Sequence, residues 1–215
     1  MAPEAAGLTN RQRRTRKDIL RAATRLLQQG QGSPSMEEVA AAALVSRATA
    51  YRYFPTVEAL LVEASIDTAM PDATALFGAD GPSDPAERVD RAEAAVHEMT
   101  FANELPLRRM LVHAIQQVLK NGARTLPIRQ NRRLPLIEAA LEPARGRLDQ
   151  ASHERLCAAL AVFFGPEAML VFRDVLQTDA DQARAVKSWA VRALVRAALA
   201  EAVPQAGGTV DPAPR

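Results

Sequence analysis

The residues best suited to chemistry lie close together between Val45 and Phe54. Arg47, Ala48, Tyr51 and Arg52 fall on one face of a short helical pattern, with Thr49 and Tyr53 at its margins. A guanidinium can donate two hydrogen bonds to guanine O6 and N7. A small side chain such as Ala48, or the methyl of Thr49, can meet a thymine methyl. Tyrosine hydroxyls suit phosphates, which fix register without reading sequence. The opposite face, Ala50 and Phe54 with Val45 leading in, suits a core. A short amphipathic helix exposed to solvent in any helical protein has the same composition, so this face alone leaves both readings open.

The flanking residues are those that would hold such a helix in place. Ser35 and Glu38 have capping-box spacing, and Met36, Val39, Ala40 and Ala43 follow at helical intervals. Leu44 and Val45 interrupt the pattern. Ser46 can cap the second helix. Pro55 disfavours helical geometry at Phe54 and so predicts its end, after which Thr56 can cap a third. Two short helices joined by a tight turn, the second carrying the polar face, form the layout of a helix-turn-helix.

Residues 35–61 resemble the DNA-binding signature of the TetR family of transcriptional regulators. The segment VSRATAYRYFPTVEALL matches the family's recognition-helix pattern almost position by position, and the resemblance extends over residues 11–65. It implies an all-α fold: an N-terminal three-helix helix-turn-helix domain over 11–62 and a helical effector-binding and dimerising domain over 63–203. It further implies a homodimeric repressor released from double-stranded operator DNA by a small-molecule effector. On that reading Arg47, Thr49 and Arg52 read bases, and Tyr51 and Tyr53 position the backbone. Ala48 lies against the bases, while Ser35, Arg14 and Arg16 make flanking contacts. Two departures stand out: Leu44 occupies a turn position where the family commonly has glycine, and Val57 a position where many members have a phosphate-binding lysine. They sustain an alternative, a helical ligand-binding or interaction protein that does not bind DNA.

In the family the effector lies among the middle helices of the body. Here these carry Val96, Met99, Phe101, Met110 and His113, which suit an adaptable apolar wall with one polar group. An ordinary helical core would use the same residues. The last two long helices are expected to form a four-helix dimer interface. The stripe Val186, Trp189, Ala190, Ala193, Leu194 and Ala197 is the expected face of the final helix, with a role in the monomer core as the competing reading.

Bulk properties agree with this class. Few aromatics, many Ala and Leu, and no alternating β-branched runs point to an all-helical chain. Net charge is only +2, but residues 1–60 hold nine Lys or Arg against five Asp or Glu. Arg11, Arg13, Arg14, Arg16 and Lys17 supply five of those cations without an intervening acid, suiting phosphates or simply solubility. Thr15, or Thr9 with Gln12, is the expected cap of the first helix. Cys157 is the sole cysteine, which excludes an intrachain disulfide and suits a reducing, cytoplasmic compartment. No signal-type apolar core or unbroken membrane-length run is present.

No phosphate loop or nucleophile motif is found, so an enzyme, a catalytic residue or a cofactor is not expected. His153 and Cys157 share a helical face, but two soft ligands need a third, and no metal site is expected. Residues 71–83 read as a connection without regular structure. A helix is predicted from Ser152 to Phe164, and residues 204–215 read as a disordered tail.

Overall fold

The computed structural model describes residues 10–29, 33–78, 81–121 and 131–202, and every regular element among them is helical. The helices are α1 (Asn10–Gln28), α2 (Met36–Ala42), α3 (Arg47–Tyr53), α4 (Val57–Ala69), α5 (Ala73–Phe77) and α6 (Pro85–Ala102). They continue with α7 (Glu104–Asn121), α8 (Arg133–Ala140), α9 (Gln150–Ala161), α10 (Pro166–Leu170) and α11 (Ala180–Glu201). The all-helical expectation holds. The tail expected over 204–215 lies outside the described residues.

The chain divides into two compact units. The first comprises residues 1–70 and 99–132, and the second 71–98 and 133–215. In the first, α1 packs on α2 and α4, α2 on α3, and α4 on α7. The core formed by α1 to α4 contains Ile19, Leu20, Ala23, Met36, Val39, Ala40, Ala50, Phe54, Leu60 and Ala64. Val45 and Val57 pack against it. The helix starts follow from caps. Ser35 Oγ accepts from the Glu38 N–H while the Glu38 carboxylate accepts from the Ser35 N–H. Those bonds from Ser35 hold the Glu38 carboxyl below its usual range. Ser46 and Thr56 accept in the same way from Thr49 and Ala59. Thr15, in contrast, is no cap: α1 already begins at Asn10, and the Thr15 hydroxyl donates to the Arg11 carbonyl.

The second unit is held partly by arginines that close helix ends. Arg88 donates to the carbonyls of Ala139 and Ala140 at the end of α8 and lies over the Phe77 ring. Arg133 donates to the Ala161 carbonyl at the end of α9 and pairs with Glu167. Its guanidinium passes so close to Gly165 (φ 133°) that a Cβ there would lie 2.9 Å away. The start of α9 differs from expectation: the helix begins at Gln150 rather than Ser152, capped by Asp149, whose carboxylate accepts from the Ser152 N–H. The expected helix to Phe164 stops at Ala161. The connection expected over 71–83 contains α5, because Asp72 accepts from the Thr74 N–H and starts a turn.

Between α6 and α11 lies a buried charge cluster. Glu93 pairs with Lys187 at 2.5 Å and with Arg184 at 3.2 Å; Asp90 pairs with Arg184 at 2.7 Å and Arg192 at 2.6 Å. Burial pushes the Glu93 carboxyl up and the Lys187 ammonium down, while their mutual attraction opposes both shifts. Burial, and then the Lys187 and Arg184 charges, lower the His97 pKa to about 4, so its imidazole is neutral at pH 7.

Candidate nucleic-acid interface

The turn between α2 and α3 sets the aim of α3. The Val45 N–H donates to the Ala40 carbonyl and the Leu44 N–H to the Ala41 carbonyl, the pair of bonds that defines a Schellman ending. That ending needs a left-handed residue, and Leu44 supplies it at φ 55° with 94% of its surface exposed. The leucine therefore leaves the usual turn geometry intact and carries a steric penalty. A left-handed L-residue costs about 1–2 kcal/mol, more than the roughly 0.4–1 kcal/mol of unfolded-state entropy that glycine adds. Leu44→Gly is accordingly expected to raise stability by about 0.5–1 kcal/mol in urea unfolding. A drop in stability would contradict this account of the turn.

With the turn closed, α3 is oriented by its buried side. Ala50 and the capping residue Phe54 lie in the core, and the Phe54 N–H donates to the Ala50 carbonyl at 2.9 Å. Arg47, Ala48, Tyr51 and Arg52 are exposed, whereas Thr49 and Tyr53 are half-buried at the edges. The two arginines lean on neighbouring rings: the Arg47 guanidinium carbon is 5.5 Å from the Tyr51 centroid, and that of Arg52 is 5.4 Å from Tyr53. Arg47 Nη1 also donates to Glu37 Oε1 on α2 at 3.1 Å. Thr49 Oγ1 shares a hydrogen bond with Ser46 Oγ, so the Thr49 hydroxyl is engaged at the helix cap and its methyl is the freer group. The Ser35 hydroxyl is likewise engaged with Glu38.

The basic stretch of α1 separates into two sides. Arg11, Arg13, Arg14 and Lys17 are exposed, while Arg16 is buried. Position 16 lies on the same stripe as Ile19, Leu20 and Ala23. There its guanidinium meets Glu63 at 2.6 Å and stacks over Phe54 at 4.7 Å. Arg16 is therefore turned into the domain rather than toward solvent. Its location corrects the grouping of Arg16 with Arg14 as a flanking contact. No neighbouring residue signals this burial, since Glu63 is 47 residues away.

The residues expected to line an effector site fall in both units. Val96 is buried in the second; Met99, Phe101, Met110 and His113 are half-buried in the first. On α11 the buried stripe is Ala183, Lys187, Val191, Val195 and Leu199, so most of the expected face is on the other side. Val186, Trp189, Ala193 and Ala197 are exposed, with Trp189 at 73%. In α9 the His153 ring nitrogens approach Cys157 Sγ no closer than 3.8 Å, and burial raises the thiol pKa. Among the described residues no group of three or more His, Cys, Asp or Glu is placed to hold a metal ion. No single described helix is long and apolar enough to cross a membrane.

Residues 19–64 match the family model for bacterial regulatory proteins of the tetR family. No curated protein matches the chain. The matched segment runs from the apolar stripe of α1 through the capped turn and α3 to the middle of α4, the elements that orient the exposed arginines. The family match and this helix-turn-helix geometry together give the chain a DNA-binding domain of the tetR type over residues 19–64, the domain of a DNA-binding transcriptional regulator.

Proposed function

We propose that the protein is a cytoplasmic homodimeric repressor that leaves its operator when a small-molecule effector binds. The supporting observation is the two-sided character of α3: Ala50 and Phe54 are buried while Arg47, Ala48, Tyr51 and Arg52 are exposed. Arg47 and Arg52 are the guanine-reading candidates, and Ala48 with the Thr49 methyl is suited to thymine. Tyr51, Tyr53, Ser35 and Arg14 position the duplex through its backbone. Exposed Trp189 and the small residues beside it on α11 support a subunit interface there. Val96, Met99, Phe101, Met110 and His113 are proposed as the effector-binding set, on composition and family likeness.

The exposed arm makes a separate, measurable contribution. Replacing Arg11, Arg13 and Arg14 together by alanine is expected to weaken operator binding and flatten its salt dependence. The log–log slope falls by about 0.9 for every phosphate that is no longer neutralised. An unchanged slope would assign these arginines to solubility alone.

Two α3 helices on a symmetric dimer must lie about 34–36 Å apart, or a multiple of this, to enter successive major grooves. An effector that prefers a different arrangement of the body weakens DNA binding only by the factor with which it discriminates between arrangements, typically about 1–3 kcal/mol. By linkage, operator DNA must weaken effector binding equally. The test is to find a ligand by thermal-shift screening and titrate it with and without operator duplex. Weaker ligand binding on DNA is expected. Equal affinity would remove the inducer mechanism, and tighter binding would make the ligand a corepressor.

A further inference from the structure

Beneath the reading face a chain of charged contacts runs through the first unit. Glu63, in the middle of α4, is buried and takes two guanidiniums. Its Oε2 accepts from Arg16 Nη2 at 2.6 Å, and its Oε1 from Arg132 Nη2 at 3.3 Å. Arg132 is further tied to α4, because its Nε donates to Asp67 Oδ1 at 2.7 Å and its Nη2 to the Glu63 carbonyl at 3.3 Å. At the other end Arg16 stacks over the ring of Phe54, the residue that terminates α3. Arg132 is the last residue of the first unit, and Arg133 opens α8 in the second.

We propose that Arg132 is a positioning residue for the base-reading helix, acting through Glu63 and Arg16 on Phe54. The proposal rests on the DNA-binding reading and adds a residue 78 positions beyond Phe54 in sequence. The physical reasons are geometric and electrostatic. One carboxylate cannot keep both oxygens engaged when one cation is removed. In a buried site the oxygen left unpaired is costly, so the Glu63 carboxylate shifts to recover a partner. Arg16 touches both groups, with Nη2 on Glu63 and its guanidinium carbon 4.7 Å from the Phe54 centroid, so a shift of Glu63 is passed to the end of α3. Asp67 reinforces the direction of the relay by holding Arg132 on the next turn of α4. A lysine at 132 could keep one ion pair but not the fork that reaches both carboxylates.

The test compares wild type, Arg132→Gln and Arg132→Lys in the full chain. Two readouts are taken: amide hydrogen exchange, and affinity for duplexes selected by the wild type, measured across a salt series. Arg132→Gln is expected to speed exchange in residues 46–56 while leaving α9 unchanged. It should also lower affinity by about 2- to 30-fold, the range for residues acting through others, with an unchanged salt slope. Arg132→Lys should recover part of both effects. A purely structural residue would lower the melting temperature, yet leave exchange in residues 46–56 and the affinity of the folded protein unaltered; that result overturns the relay. A slope reduced by about 0.9 would instead make Arg132 a direct phosphate contact, and also overturns it. If the wild type selects no duplex, the DNA-binding reading fails, and exchange in residues 46–56 decides the relay alone.

Discussion

Trp189→Glu is expected to convert the protein to monomers and to lower operator affinity by at least about 100-fold, a weakening of roughly 2.7 kcal/mol or more. Trp189 is a large aromatic exposed in the middle of α11. Val186, Ala193 and Ala197 flank it on the same outward stripe. An exposed tryptophan among small residues suits an interface anchor, and truncating such an anchor typically costs about 2–4 kcal/mol. Glutamate adds the cost of placing two symmetry-related carboxylates in an apolar contact. The buried stripe of α11 lies on the opposite side, so the substitution leaves the monomer's own core untouched. A dimer reads two half-sites and a monomer one, hence the coupled drop in DNA affinity. Sedimentation and duplex titration check both halves. If Trp189→Glu still sediments as a dimer, α11 is not the interface.

Arg47→Ala should lower affinity for the best duplex and relax preference at one base pair, by about 1–3 kcal/mol if the contact to guanine is bidentate. Before binding, Arg47 is held by Glu37 and stacked near Tyr51. Both Arg47 and Glu37 are exposed, and a pair of that kind contributes only about 0.2–1 kcal/mol. A guanine edge can therefore replace Glu37 with net gain, and the stacking keeps the guanidinium close to the face that would meet the groove. Tyr51→Phe is the comparison: removing a phosphate donor should weaken all sequences nearly evenly. Sequence preference unchanged by Arg47→Ala would remove Arg47 from base readout.

The reading domain is legible in sequence because its determinants are local. The Ser35–Glu38 box, the Ser46 and Thr56 caps and the Pro55 stop each act within a few residues, and α4 spans Val57–Ala69 with its cap at Thr56. A left-handed Leu44 is foreseeable from its place after α2, although only the Val45–Ala40 and Leu44–Ala41 bonds show that the turn closes normally. Other features depend on partners far along the chain. Arg16 reads in sequence as one more arm cation, and only the fold brings Glu63 and Phe54 around it. Arg132 sits in a proline- and arginine-rich stretch with no readable periodicity, yet it joins Glu63 and Asp67. The inward stripe of α11 is hidden by Lys187, a charge at its second position that is buried only because Glu93 faces it. With that stripe obscured, the remaining apolar residues of the helix, Trp189 among them, form the only pattern that stands out.

Selection of bound duplexes from a random DNA pool reads out sequence-specific, two-fold DNA binding and assumes neither an operator nor an effector. Enrichment of an inverted repeat is expected. Its half-site centres should be about 10–10.5 base pairs apart, or a multiple, as two α3 helices on a two-fold axis require. The enriched half-site should contain a guanine whose preference disappears with Arg47→Ala. A pool that remains random after repeated rounds, with a folded protein, would contradict sequence-specific DNA binding. Enrichment of a single unrepeated site would contradict the symmetric dimer.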